Sequence, residues 1–329
     1  MGFGPKLFQF HKKETQYTLR LIPLGGYCMM LSEDDEENAN DENSFEKKSI
    51  WARMAVVLAG PAMNFVIAFL FSMVIIHFCG SDPAIIGAVY NKDNIEKYQI
   101  ENAEEYFNGV YPAEEAGISD GDRVLKIEGS TVKNFRELQI YLQIYGDGSP
   151  IDLTLEKEDG TVYDTTVHPT KTPDGYKIGI MSVGYQLPKN FGELCKYSAY
   201  ETRYWVKATF LSLKLIVTRL VSSDEVSGPV GVAKNMNDTF NEAAKSSVLD
   251  LFLNWMNYIV LLSANLGVMN LLPIPGLDGG RFIFLLIEAV TRKKVPKDKE
   301  NIVTLIGFVL VMLLMVVILF NDIKNVFFH

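Results

Sequence analysis

Apolar residues gather in three long runs, Met54–Cys79, Leu249–Leu272 and Ile302–Phe320. At about 1.5 Å of rise per helical residue, each run is long enough to cross a hydrocarbon core of roughly 30 Å. The spacing predicts transmembrane helices over 54–79, 248–291 and 302–320. The first run is broken by little more than Asn64 and His77, and the third carries no charge. In the second, Asn254, Asn257 and Asn265 fall near one helical face, which points to a packed or polar interior side. The second span is interrupted. Between Leu249–Leu272 and a shorter apolar run, Phe282–Val290, lies the string NLLPIPGLDGG, residues 270–280, with two prolines and three glycines. Broken backbone at membrane depth persists only when it is buried in protein or lines a wet cavity. Within it sits Asp278. A charged side chain near bilayer depth costs at least roughly 2.5–3.5 kcal/mol, so it faces a partner, a cavity or a metal. A polar loop at the membrane surface is the alternative reading.

Elsewhere the period changes. Tyr17, Leu19 and Leu21 alternate with Thr18 and Arg20, as a strand does, and Phe8 and Phe10 supply a second arm. Residues 1–31 therefore read as a β-hairpin, which is marginal in water without a neighbour. Residues 32–53 begin with the acidic stretch SEDDEENANDEN and read as a solvated cytoplasmic loop. Residues 86–170 mix alternating runs at Val124–Gly129 and Ile151–Lys157 with helical spacing at Phe135–Ile144, an α+β pattern. In 191–247, Glu201–Val221 carries Arg203, Lys207, Lys214 and Arg219 among apolar residues at helical spacing. An amphipathic helix on the outer interface followed by a linker is expected there. A long core-packed helix is the other reading.

Composition adds bounds. The chain has 329 residues, 48% hydrophobic and 22% charged, which calls for membrane spans plus a soluble module. A net charge of −9 argues against a nucleic acid partner. The three cysteines, Cys28, Cys79 and Cys195, lie far apart and form no metal-type or disulfide pattern. Lys47, Lys48 and Arg53 before the first span, and Arg292, Lys293, Lys294, Lys297 and Lys299 after the second, place both regions in the cytoplasm. The α+β region then lies outside. Three spans with one polar break and no internal repeat do not suit a transporter.

The string at 270–280 resembles the third-helix signature of the site-2 protease family of intramembrane zinc metalloproteases, of the regulator of sigma-E protease type. The resemblance implies that Asp278 is a zinc ligand and that Asn270, Pro273 and Pro275 shape the substrate cleft. Gly60-Pro61-x-x-Asn64 is similar to the family's second-helix motif, and Gly228-Pro229-x-Gly231 to a further structural signature. Gly2-Phe3-Gly4 and Pro23–Tyr27 resemble the ends of a membrane-dipping hairpin. Its edge near Gly25, Gly26 and Tyr27 would hold an extended substrate by strand addition. Ala113–Val124 looks like the signature of PDZ domains, which bind peptides against a sheet edge. Asp120 and Asp122 within it are read as turn formers. The implied protein is a multi-pass α-helical membrane protein of the bacterial plasma membrane, with a membrane-associated β-hairpin and an inserted extracytoplasmic PDZ domain. It would cut single-span membrane proteins such as anti-sigma factors or signal-peptide remnants. Its partners would be that substrate, lipid and a peptide ligand at the PDZ domain.

One departure is large. The family's His-Glu-x-x-His supplies two zinc ligands and a glutamate base, and zinc catalysis needs three protein ligands plus a water. Histidine occurs here only at 11, 77, 168 and 329, and no such motif exists. The expectation is an amino-terminally truncated chain that lacks the family's first helix and neither holds Zn(2+) tightly nor cleaves peptides. The competing expectation is a catalytically dead, PDZ-containing membrane scaffold.

Overall fold

The computed structural model describes residues 3–12, 15–22, 44–98, 106, 107, 109–173, 175–217 and 229–328. Helix α1 (Ile50–Cys79) starts at Ser49, whose side chain accepts from Ala52 N at 3.3 Å, and stops at Gly80. It begins four residues before the expected boundary at 54, so Arg53 and the end of the expected loop 32–53 belong to the helix. The expected span 248–291 is two helices. The first, α7 (Val248–Leu271), is capped by Ser247. It stops where Pro273 forces Leu272 out of the helical region. After a turn, α8 (Asp278–Thr291) begins at the aspartate itself. The last helix, α9 (Lys297–Phe328), overruns the expected 302–320 at both ends.

Among the described residues, three helices, α1, α7 and α9, are long and apolar enough to cross a membrane by length and composition, with mean hydropathies of 2.2, 1.4 and 3.3. Helices α1 and α7 pack through small residues. Ala68 and Ala264 are fully buried with Val260, backed by Phe71, Ile75 and Trp205. A β-carbon on Gly267 would stand 2.7 Å from the Phe65 ring, so glycine is what lets that ring in. This is how membrane helices associate where lipid removes the hydrophobic drive.

Between α1 and α5 (Phe191–Val217) the chain builds a separate α+β module. It contains β3 (Ile86–Val89), α2 (Lys92–Tyr98), α3 (Pro112–Glu115), β4 (Arg123–Ile127), β5 (Ser130–Thr131), α4 (Phe135–Ile144), β6 (Ile151–Glu156), β7 (Val162–Val167), β8 (Thr170–Thr172), β9 (Gly175–Lys177) and β10 (Ile180–Ser182). An antiparallel sheet of order β5-β4-β6-β7 forms its centre, and β10 pairs with β3. The module therefore runs past the expected boundary at 170, because its last strand must return to its first. Period-two burial along β6 sends Ile151, Leu153 and Leu155 into a core with Ile86, Val124, Ile127, Leu138 and Val167. Helix α4 is fixed at its start by Asn134, which accepts from Glu137 N at 2.8 Å, while Glu137 accepts from Lys133 N. Asp120 accepts from Val89 N, and Asp122 from Ser119 N, so both carboxylates organise backbone turns. Burial and the hydrogen bond from Tyr163 to Asp122 raise the tyrosine's pKa.

The module joins the helices through a neck. Ser81 N donates to Gln186 O at 2.9 Å, and Gln186 N donates back to Ser81 O at 2.7 Å. Helix α5 does not behave as a helix lying on the interface alone. It packs against α1 and α7, and Thr209 hydrogen-bonds Asn265 across the latter contact. The expected linker after it is helical too, as α6 (Pro229–Ser246), which packs on α7 and α9.

Strands β1 (Phe3–Lys12) and β2 (Thr15–Ile22) form an antiparallel hairpin with Phe10 stacked on Tyr17. Leu7, Phe8, Leu19 and Leu21 stand exposed on it. Gly25, Gly26, Tyr27, Gly228 and the acidic stretch 32–43 lie outside the described residues.

Candidate functional site

The broken segment is built around close backbone approaches. Leu277 N donates to Ile274 O at 3.1 Å, and Gly276 takes a φ of 98°, open to glycine at little cost. The turn then folds back over the start of α8. A β-carbon on Gly279 would collide with the carbonyls of Leu271 and Leu272, and one on Gly280 would meet Ile274 O at 2.5 Å. Both glycines are buried. On its far side the turn rests on α9, where Gly307 leaves room for the Pro275 carbonyl. Each glycine in this region thus permits one contact that fixes where Asp278 points.

Asp278 occupies the first turn of α8, where the unsatisfied N–H groups favour negative charge. Its carboxylate reaches α1. A β-carbon on Gly60 would stand 3.3 Å from Asp278 Oδ2. Pro61, buried in the middle of α1, lies beside that point, and Asn64 follows one turn on. The structure thus brings Gly60 to Asp278, with Pro61 and Asn64 on the same helix as the glycine and Pro273 and Pro275 in the turn that leads to the aspartate. Asn270 is the penultimate residue of α7, half-buried, two residues before the turn begins. Pro229 and Gly231 lie on α6.

Sequence reasoning missed Arg53 and Glu288. Arg53 Nη2 donates to Glu288 Oε1 at 2.6 Å, with side chains only 10% and 15% exposed. The pair ties the first turn of α1 to the third turn of α8. The signal was Arg53 itself, which was read as a topology marker only.

The donor set does not fit a zinc site by itself. Among the described residues, no group of three His, Cys, Asp or Glu side chains stands close enough to hold a metal ion. His77 lies seventeen residues beyond Gly60, about 25 Å along the helix. Asp278 is one ligand of the three that a catalytic zinc requires.

A second concave surface lies in the module. A groove of about 560 Å³ runs between α4 and the segment 178–180 that leads into β10, lined by Tyr90, Phe107, Phe135, Gln139, Leu142 and Tyr176. The opposite face of α4 is locked to α5. Buried Glu137 meets Arg203 at 3.1 Å and Lys207 at 2.5 Å, and Arg136 pairs with Glu201.

The profile of peptidase family M50 matches residues 1–314. A Clostridium acetobutylicum protein whose name reads zinc metalloprotease is 35% identical over 325 residues, covering 98% of this chain and 87% of that protein. The zinc metalloprotease RasP of Geobacillus kaustophilus is 30% identical over 405 residues, covering 99% of this chain and 90% of its own length. The regulator of sigma-W protease RasP of Bacillus subtilis is 28% identical over 408 residues, with 99% and 90% covered.

Proposed function

The chain belongs to peptidase family M50, and from that premise we propose that it is the substrate-handling and aspartate-bearing part of an intramembrane zinc metalloprotease that cuts single-span membrane proteins. The observation that carries this reading is the meeting of Asp278 with Gly60. A carboxylate at membrane depth, on a broken helix, faces a point on α1 kept free of a side chain. A purely structural aspartate does not need that opening, and a ligand for a metal does.

On this reading a complete site needs two further zinc ligands and a general base besides Asp278, and no chemical step is assigned to the residues present. Their tasks are to orient and to bind. Asn270 and the turn 273–277 hold an unwound stretch of substrate near Asp278. The hairpin β1–β2 offers main-chain hydrogen bonds to it. The module acts as an extracytoplasmic PDZ domain whose groove between α4 and residues 178–180 takes an extended peptide. Substrates would be membrane proteins already trimmed outside, such as anti-sigma factors or signal-peptide remnants, in the plasma membrane of a bacterium.

The donor count also favours a second reading, a catalytically dead scaffold that keeps the groove and the cleft. A metal measurement tests what they share, and a cleavage measurement separates them. Zinc content of the purified 329-residue chain tests the donor count common to both readings: it should fall well below one ion per chain, and a stoichiometric ion would show that the residues present hold the metal after all. In the native cell, a single-span reporter should be cut by the wild type and not by Asp278→Asn at equal membrane abundance. Equal cutting by both would end the protease assignment of Asp278, and cutting by neither favours the scaffold.

A further inference from the structure

We propose that Arg53 and Glu288 form a positioning pair that sets the register of α8 along α1 and thereby holds the Asp278 carboxylate at Gly60. The inference rests on reading Asp278 as the site's carboxylate. Helices α1 and α8 run antiparallel, joined at two points, Arg53 to Glu288 and Gly60 to Asp278. Gly60 lies seven residues beyond Arg53, about 10 Å along the axis, and Glu288 ten residues beyond Asp278, about 15 Å. Apart from Asp278, Arg281 and Glu288, α8 is built of apolar and small residues, with Leu285 buried, and it packs on α1. Apolar contact is non-directional and tolerates sliding. A shielded ion pair does not. Displacement leaves two charges without their partners in a medium that solvates them poorly, and fixing register is the best-attested use of such buried groups. A slip of one helical turn, about 5.4 Å, would separate Arg53 from Glu288 and carry Asp278 a turn away from Gly60. Burial sharpens the constraint. Arg53 Nε is itself buried with no hydrogen-bond partner among the described residues, so the guanidinium depends on Glu288 for its compensation.

The test reads register directly, without proteolysis. In a background where Cys28, Cys79 and Cys195 are replaced by serine, Gly60→Cys with Asp278→Cys reports the α1–α8 register by cross-linking in native membranes. Thr209→Cys with Asn265→Cys reports the α5–α7 contact as a control. Arg53→Gln and Glu288→Gln should each lower the first yield several-fold and leave the second unchanged. The exchange Arg53→Glu with Glu288→Arg should restore it. Should Arg53→Gln fail to accumulate, Glu288→Gln, which keeps the side-chain size, is read in the same way. An unchanged first yield overturns the proposal, as does a parallel fall of both yields or a failure of the exchange to restore. The readout is independent of the protease assignment. A reporter cut equally by wild type and Asp278→Asn would end that assignment and leave the register result intact.

Discussion

Gly60 and Asp278 are far apart in sequence, yet a β-carbon on the first would stand 3.3 Å from Oδ2 of the second. The glycine is exposed, so a side chain there disturbs little beyond the aspartate. Gly60→Val should therefore accumulate in membranes at the wild-type level while lowering reporter cleavage on the order of 100-fold, the penalty for a displacement near 1 Å in a catalytic group. Immunoblotting of membranes beside the cleavage assay checks both halves.

Gly307 gives a sharper sign test. Glycine to alanine inside a helix normally stabilises by about 1 kcal/mol. Here the added carbon would collide with the Pro275 carbonyl, and overpacking costs about 1–3 kcal/mol. Thermal unfolding in detergent should show Gly307→Ala below wild type. A gain would mean that α9 does not bear on the turn.

Glu137 is 2% exposed and faces Arg203 and Lys207. Glu137→Leu leaves the Thr131 carbonyl as the acceptor still within reach of both cations. The junction between module and helices should weaken by about 1–3 kcal/mol, the usual cost of stranding buried polar groups. Limited proteolysis should then release the module faster, with cuts near the neck. An unchanged digestion pattern would show the junction to be held by other contacts.

Asp82 stands at the base of the module, and its side chain accepts from Ser182. Burial raises its pKa above the usual carboxylate range, with Ser182 and Arg136 opposing in part. The folded module thus binds this proton more tightly than the unfolded chain does. Stability should fall as pH rises from the ordinary carboxylate range through the folded pKa, and the penalty is absent at lower pH. Asp82→Asn removes that slope. Thermal unfolding of the full chain at several pH values should show the variant gaining on wild type as pH rises, and parallel curves would contradict the assignment.

Much of this was legible in the sequence, for identifiable reasons. The three apolar runs and the Pro- and Gly-rich break are composition and spacing, and they survive folding with boundaries shifted by a few residues. The meeting of Gly60 with Asp278 was not legible from periodicity. It depends on α8 turning back antiparallel to α1, which only the motif resemblance hinted at. Helix α5 was misjudged because charge on a helix face looks the same whether it meets water or a partner. Glu201, Arg203 and Lys207 meet α4.

The neck at Ser81 and Gln186 has a consequence for how such a chain can change. Because the module leaves and re-enters the helices at one point, it is a cassette. Its excision, closed by a few residues between Gly80 and Leu187, would leave α1 and α5 where they are without stretching either. What would betray the operation is α5 itself, where Arg203 and Lys207 would be left on a bare surface, a recorded imprint of the insert that once covered them.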